Sequence, residues 1–134
     1  MDFVDLRVGQ RAQAFDIVTR DAIAAFAHVS GDCNPVHLDE DFAAHTQFKG
    51  VIAHGMLSAA YISKVLGMQL PGAGAIYLGQ TLRFRAPVHP GDAVVTEVTI
   101  KELVVDKRRV VLETVCRVGE VVVIEGEATL LATH

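Results

Sequence analysis

The sequence has no tryptophan and, among its 134 residues, only two cysteines and four prolines. Cys33 and Cys116 form neither a CxxC pair nor a dense framework, so a disulfide-stapled fold is not indicated and both thiols are expected to be reduced. No uncharged stretch approaches the roughly 18 apolar residues that a membrane-spanning helix needs. We therefore expect a protein without a membrane span.

Basic residues are also scarce, with 12 lysines and arginines against 16 acids and a net charge of −4. Their one cluster, residues 107–109, is expected at the end of a hairpin. This balance gives no electrostatic reason for a nucleic acid or an anionic membrane to be the partner. Residues 1–5 carry acids where a signal peptide needs a basic region, so the expected location is the cytoplasm.

The six histidines do not form a recognisable metal motif. There is no HExxH sequence, no paired cysteine and no pair of histidines four residues apart that would face one ion on a helix. We expect no metal site. Four histidines are predicted to be surface or locally hydrogen-bonded groups: His28, His45, His89 and His134.

The stretch that begins at Gly31 places an acid and a histidine, Asp32 and His37, five residues apart. Gly31 tolerates a positive φ, and Pro35 lacks an N–H and pushes Asn34 out of the α region, so this stretch is predicted not to be regular helix. A turn there can aim both side chains at one point. The alternative is that the polar residues only form turn hydrogen bonds.

Three helices are predicted around this stretch. Thr19 is an expected N-cap for a helix that ends at Gly31, and Asp39 is an expected cap for a second, short helix. Residues 55–66 are apolar almost all round, and Gly67 is expected to close this third helix. A helix with this composition is predicted to be buried.

The remaining sequence alternates as strands do. A first strand is predicted at 11–18, followed by four long strands at 75–86, 93–104, 108–118 and 121–131. One buried helix held by one twisted antiparallel sheet is the simplest packing. The predicted class is α+β, with a single domain over residues 1–134.

Two motifs resemble those of a known family. Residues 31–37 read Gly-Asp-Cys-Asn-Pro-Val-His, and residues 52–56 read Ile-Ala-His-Gly-Met at the start of the apolar helix. Together they resemble the R-specific (type-2) enoyl-CoA hydratases of the MaoC-like dehydratase family. The resemblance implies a hotdog fold, in which a five-stranded antiparallel sheet wraps a long central helix. It also implies a homodimer that acts on acyl-CoA thioesters, with Asp32 and His37 as the catalytic pair.

The implied reaction is the reversible syn addition of water to a trans-2-enoyl-CoA, giving the (R)-3-hydroxyacyl-CoA. A carboxylate and an imidazole can share one water and pass its protons on, so neither a metal nor a cofactor is needed beyond the coenzyme A of the substrate. The sequence leaves open whether Asp32 or His37 activates the water. Asn34 is a supporting candidate that could fix the water or Asp32, or is only a turn residue.

An oxyanion site is expected at Gly55, where the first turn of the apolar helix has N–H groups without helical partners. Absence of a side chain would let a thioester carbonyl approach the backbone. The alternative is that this glycine only relieves crowding at the start of a buried helix. His54 is a second supporting candidate, which could orient the loop or the thioester or serve a purely structural purpose.

Several residues are candidates for binding the rest of the substrate, although most are equally suited to the core or to a solvated surface. The acyl pocket candidates are Ser58, Ile62, Ser63 and Leu66 on the central helix, with Leu78, Leu82 and Phe84 beyond it. The candidate partners of the coenzyme A phosphates are Lys64, Arg83, Arg85 and Arg108.

Three other functions compete with hydration of an enoyl-CoA. A 3-hydroxyacyl-carrier-protein dehydratase would use the same residues on a different carrier. A hotdog thioesterase would direct water at the carbonyl carbon, and the turn carrying Asp32 and His37 argues against it. A non-catalytic acyl-binding or dimerisation domain gives no reason for an acid and a histidine to share a turn.

Overall fold

The computed structural model describes residues 2–133, which form one antiparallel sheet and one long helix with shorter helices between them. The strands are β1 (Arg11–Ile17), β2 (Ile76–Phe84), β3 (Ala93–Val104), β4 (Arg109–Val118) and β5 (Val121–Leu131). The helices are α1 (Arg20–Ser30), α2 (Pro35–Leu38), α3 (Glu40–Ala44) and α4 (Gly55–Met68), with 3₁₀ turns at Phe3–Asp5 and Val105–Lys107. The strand order is β1-β3-β4-β5-β2, so β1 and β2 are the two edges.

The five predicted strands are confirmed, with boundaries within two residues of those expected. Successive side chains of a strand point to opposite faces of the sheet, so every second residue of a strand shares one face. On β4 the residues of one such face are fully buried: Val110, Leu112, Thr114 and Cys116. This face of the sheet packs on α4, and the buried apolar side chains of both elements form one core cluster. The arrangement of a sheet around one central helix agrees with the hotdog expectation.

Helix α4 is buried as predicted on the side that faces the sheet, but not on its other side. Ile62, Val65 and Leu66 are fully buried against the sheet. Met56 and Met68 are 53% and 78% exposed on the opposite side. The sheet covers only the facing side of the helix, and no described element covers the other.

The end of α4 also differs from the prediction, because the helix continues through Gly67 to Met68. Gln69 ends it, and its N–H donates to the Val65 carbonyl at 2.9 Å. Within residues 2–133, no helix is both long enough and apolar enough to cross a bilayer.

Helix α1 begins and ends as predicted. The hydroxyl of Thr19 accepts the N–H of Ala22 at 3.0 Å. Gly31 has a φ of +79° and donates its N–H to the Ala27 carbonyl, which ends the helix in the left-handed conformation that glycine adopts at lowest cost. The chain therefore turns sharply just before Asp32.

The stretch after Gly31 contains a helical turn that was not predicted, since α2 occupies residues 35–38. Pro35 occupies the first turn, where its missing N–H costs nothing, and the Asn34 carbonyl oxygen Oδ1 accepts the N–H of Val36 at 3.2 Å. Asp39 then caps α3 as expected, with its Oδ1 accepting the N–H of Phe42 at 3.1 Å. The proline that excludes a longer helix therefore starts a short one.

Candidate active site

Asp32 lies on the turn between α1 and α2, with its side chain exposed. Its N–H donates to the Ser30 hydroxyl at 3.1 Å, and its Oδ1 accepts the N–H of Asn34 at 3.2 Å. Among residues 2–133, none donates to its Oδ2. The carboxylate is thus held by one backbone contact and leaves an oxygen free for a ligand.

His37 projects from the single turn of α2 and is half-buried. Its Nδ1 lies 2.7 Å from the carbonyl oxygen of Ile52. Because a carbonyl oxygen only accepts, Nδ1 carries the hydrogen, and Nε2 is the nitrogen left for a substrate or a water. The N–H of Ile52 also donates to the Val36 carbonyl at 3.2 Å, so the segments that carry the two motifs are joined by backbone as well.

His54 brings the second motif into contact with Asp32 and His37. Its ring is 2% exposed and stacks on the ring of His37, with centroids 3.9 Å apart and planes 30° apart. Its Nε2 lies 2.9 Å from the backbone carbonyl oxygen of Asp32. The structure therefore brings Asp32, His37 and His54 together, with one ligand-type atom of each lying within 4.8 Å of the others.

A cluster of this composition could hold a metal ion only if enough of its donor atoms were free to bind one. His37 Nδ1 and His54 Nε2 already face backbone carbonyls, and the other nitrogen of His54 is buried without a partner. An approaching ion would find His37 Nε2 and the Asp32 carboxylate, fewer than the three protein ligands usual in catalytic zinc sites. The expectation of no metal site stays a prediction.

A mainly apolar cavity of about 290 Å³ opens beside His37. Its lining comes from three parts of the chain: His37, Phe48, Ile52, Ala53, His54, Gly55, Ser58, Phe84, Arg85, Ala86, Pro87, Val88 and Ile124. The N–H of Ala53 donates to the Val88 carbonyl at 2.7 Å, which ties the floor of the cavity to the segment between β2 and β3. His37 thus borders a space suited to an apolar ligand.

The first turn of α4 faces this cavity through Gly55 and Ser58. His54 occupies the N-cap position with φ −60° and ψ 134°, and its side chain makes no capping hydrogen bond. The first N–H groups of a helix have no helical acceptors. The N-terminus of α4 therefore offers donors to a ligand in the cavity.

Gly55 is also a crowded position. A Cβ at Gly55 would lie 2.4 and 2.5 Å from two ring carbons of Phe84. The alternative explanation of this glycine, relief of crowding, thus has a specific neighbour. It does not exclude the oxyanion role, because the contact involves the Cα side of Gly55 and the end of a half-exposed aromatic side chain.

The structure separates the candidate acyl-pocket residues into three environments. Ser58 and Phe84 line the cavity beside His37. Ser63, Leu78 and Leu82 line a different groove of about 600 Å³ between α4 and β2. Ile62 and Leu66 are fully buried in the core and line none of the described cavities.

Two of the four candidate phosphate partners already have acidic partners. The Lys64 ammonium contacts both carboxylate oxygens of Asp16, at 2.6 and 2.7 Å, and Arg85 pairs with Glu125. Asn34 acts as the N-cap of α2, which matches its alternative role as a turn residue.

Several cavity residues were not anticipated from the sequence, chiefly Phe48, Ile52, Val88 and Ile124. They lie in a loop, before α4, between β2 and β3, and in β5. No local pattern distinguishes them from other apolar residues, since only the folded chain brings these distant segments to one cavity.

Residues 7–125 match the family model described as the MaoC like domain. The chain is 50% identical to an (R)-specific enoyl-CoA hydratase of Rhodospirillum rubrum over 129 residues, which cover 96% of this chain and 90% of the relative. It is 48% identical to a 3-hydroxybutyryl-CoA dehydratase of Methylorubrum extorquens, covering 94% and 80%.

A solved structure, the (R)-hydratase from A. caviae involved in PHA biosynthesis, superposes with a TM-score of 0.92 at 45% identity. The match covers 95% of this chain and 97% of that one. The likeness thus extends through both motifs, the central helix and the sheet. From its sequence and its fold alike, the chain belongs to the MaoC-like dehydratase family.

Proposed function

We propose that the protein is an R-specific enoyl-CoA hydratase, a hydro-lyase that reversibly adds water to a trans-2-enoyl-CoA to give the (R)-3-hydroxyacyl-CoA. One observation carries the proposal: His37, whose Nδ1 faces the Ile52 carbonyl, lines an apolar cavity at the N-terminus of α4, which has no side-chain cap, and a ligand-type atom of Asp32 lies within 4.8 Å of one of His37. The names of the relatives support it, since enzymes 45–50% identical to this chain are (R)-specific enoyl-CoA hydratases.

In the proposed reaction, one water lies between the Asp32 carboxylate and His37 Nε2. The water oxygen forms a bond to Cβ of the enoyl thioester as one of its protons passes to the carboxylate or to the imidazole. The pair then delivers a proton to Cα, which completes the addition and restores both groups. All the atoms come from water and the substrate, so the only coenzyme A involved is part of the substrate.

The electrons of the double bond move onto the thioester oxygen between these two steps. We assign the stabilisation of this enolate oxygen to the backbone N–H of Gly55. The donor is fixed before the reaction starts and lies at the positive end of the α4 dipole, the two features that make such groups effective. Asn34 and His54 hold Asp32 in place, through the Asn34 N–H and through His54 Nε2. Ser58 and Phe84 border the acyl group.

A 3-hydroxyacyl-carrier-protein dehydratase is the second candidate. It is favoured by a specific likeness, since the chain is 34% identical to the mitochondrial 3-hydroxyacyl-[acyl-carrier-protein] dehydratase of Arabidopsis thaliana over 130 residues. The chemistry at Asp32 and His37 would be the same, and only the carrier of the acyl group would differ. Comparing kcat/KM for one acyl group on both carriers separates the two.

The direct test is to add the purified protein to crotonyl-CoA and follow the loss of the enoyl ultraviolet band. We expect saturable hydration and, on chiral analysis, the R enantiomer of 3-hydroxybutyryl-CoA. A thiol reagent in a parallel sample should detect no free coenzyme A. Release of thiol would instead indicate a thioesterase, and the S enantiomer would contradict the proposed stereochemistry.

We also propose that the protein works as a homodimer through the edge strand β2. Three large apolar residues of β2 are 39–49% exposed, Ile76, Tyr77 and Leu78, and an edge strand with this composition is a surface that proteins usually cover. The substrate would then bind near the interface, because β2 ends at Phe84 in the cavity wall.

Matched substitutions on the two edges test this arrangement. Ile76→Lys on β2 is expected to shift the protein toward monomer in sedimentation equilibrium, because it buries a charge in the interface. Ile17→Lys on β1, where the isoleucine is also 49% exposed, should leave the dimer intact. A wild-type protein that is monomeric and active at assay concentration would contradict the proposal.

We further propose that the protein is located in the cytoplasm. The support for this location is the state of the two cysteines, which are both free, with Cys33 exposed and Cys116 buried. Burial raises the pKa of the Cys116 thiol and so disfavours its reactive thiolate. Free thiols of this kind are usual in reducing compartments.

A further inference from the structure

We infer that His54 is a positioning residue that fixes where Asp32 and His37 lie relative to each other. This inference rests on the proposed hydration reaction and adds a role for a residue that contributes no atom to it. Three features of His54 support it: its hydrogen bond, its stacked ring and its unpartnered nitrogen.

The hydrogen bond fixes the backbone at Asp32. The Asp32 carbonyl oxygen can only accept, so His54 Nε2 carries the hydrogen and donates it across 2.9 Å. This is a contact between residues 22 positions apart. The peptide group that follows Asp32 is thereby held against the start of α4, although the Asp32 side chain itself is exposed.

The ring of His54 fixes the orientation of His37. His37 is already held at one edge by the bond from its Nδ1 to the Ile52 carbonyl, which still allows the ring to tilt. Stacking on His54 at 3.9 Å supports its face. An edge and a face together define where Nε2 of His37 points.

The remaining nitrogen of His54, Nδ1, makes no hydrogen bond of its own to either residue. With Nε2 as the donor, Nδ1 is buried and has no hydrogen-bond partner in the described structure. Leaving a buried polar atom unpaired has a cost that a purely apolar ring would avoid. The hydrogen bond from His54 to the Asp32 carbonyl offsets the cost of this unpaired nitrogen, which explains why an imidazole and not an apolar ring stands here.

A pair of variants separates positioning from packing. Glutamine places its amide nitrogen where Nε2 of histidine lies, whereas asparagine places it near Nδ1, so only His54→Gln keeps the donor to Asp32. We expect His54→Asn to lower kcat about 10- to 100-fold, the cost of misplacing reacting groups by about an ångström, with KM within about threefold. His54→Gln should be faster than His54→Asn by about fivefold or more, the worth of one net hydrogen bond.

His45→Asn is the matched control, because His45 is an exposed histidine whose Nδ1 also bonds a backbone carbonyl, that of Asp41. Its kcat should equal that of the wild type. A His54→Asn enzyme with a kcat within twofold of the wild type, or a His54→Gln enzyme no faster than His54→Asn, would overturn the positioning role.

Nitrogen-15 NMR of the wild-type protein tests the inference without any variant and without turnover. We expect His54 in the tautomer with hydrogen on Nε2 and a bare Nδ1, and His37 in the opposite tautomer. Hydrogen on Nδ1 of His54 would contradict the bond to Asp32. If the wild type fails to hydrate crotonyl-CoA, the proposed function is wrong, and the spectrum still decides whether His54 holds Asp32.

Discussion

Asp32→Asn and His37→Gln are each expected to lower kcat for hydration of crotonyl-CoA by about 10²–10⁴-fold, the usual worth of a positioned acid or base. Asparagine keeps the oxygen that accepts the Asn34 N–H, and glutamine keeps a polar group near His37 Nε2. Both variants should therefore fold. Steady-state kinetics give the effect, and circular dichroism confirms the fold.

The double variant provides the sharper test of whether the two residues act as a pair. Its loss should be much smaller than the product of the two single losses, because groups that act as a unit are strongly non-additive. Asp106→Asn and His28→Gln make the same chemical changes at exposed positions outside the cluster and should leave kcat unchanged. Hydration near the wild-type rate in either single variant would rule out the catalytic assignment.

Removing the N–H of Gly55 is expected to lower kcat by about 10²–10³-fold, as loss of one oxyanion donor does. Proline removes it, and Gly55 is not among the residues with positive φ, while His54 has the extended backbone that a residue before proline prefers. Any Cβ at this position meets the Phe84 ring, so the substitution is best made in a Phe84→Ala background.

The comparison then needs three proteins: Phe84→Ala alone, Phe84→Ala with Gly55→Ala, and Phe84→Ala with Gly55→Pro. The alanine double variant adds a Cβ but keeps the N–H, so its kcat should stay close to that of Phe84→Ala. Only the proline double variant should be slow. If both double variants turn over equally while melting within a few degrees of each other, Gly55 is needed for packing and not for catalysis.

Much of this fold follows from local patterns in the sequence. The alternation of β4, the cap at Thr19 and the positive φ at Gly31 are each set by the residues themselves. The candidate catalytic pair was recognisable for the same reason, since Asp32 and His37 lie on one short turn. In contrast, α2 differs from the prediction, because a proline that stops a longer helix also fits the first turn of a short one, as Pro35 does.

The surroundings of the pair depend on tertiary structure and could not be predicted in the same way. Ile62 and Leu66 have the composition of an acyl wall, but the sheet covers their side of α4 and makes them core. Ile124 reaches the cavity from a strand about 90 positions away from Asp32. The contact of His54 with Asp32 and His37 could not be predicted either, because a lone histidine before a helix has no local signature.

All the groups to which we assign catalysis, from Asp32 to Gly55, lie on one continuous segment between α1 and the start of α4, whereas the sheet supplies the core and part of the cavity wall. The proposed chemistry and the architecture of this protein therefore depend on different parts of the chain. A descendant could lose the reaction through a few changes in that segment and still keep its shape. A likeness in shape alone, such as that to a solved chain at 17% identity with a TM-score of 0.84, thus shows a shared fold and carries no information about the reaction.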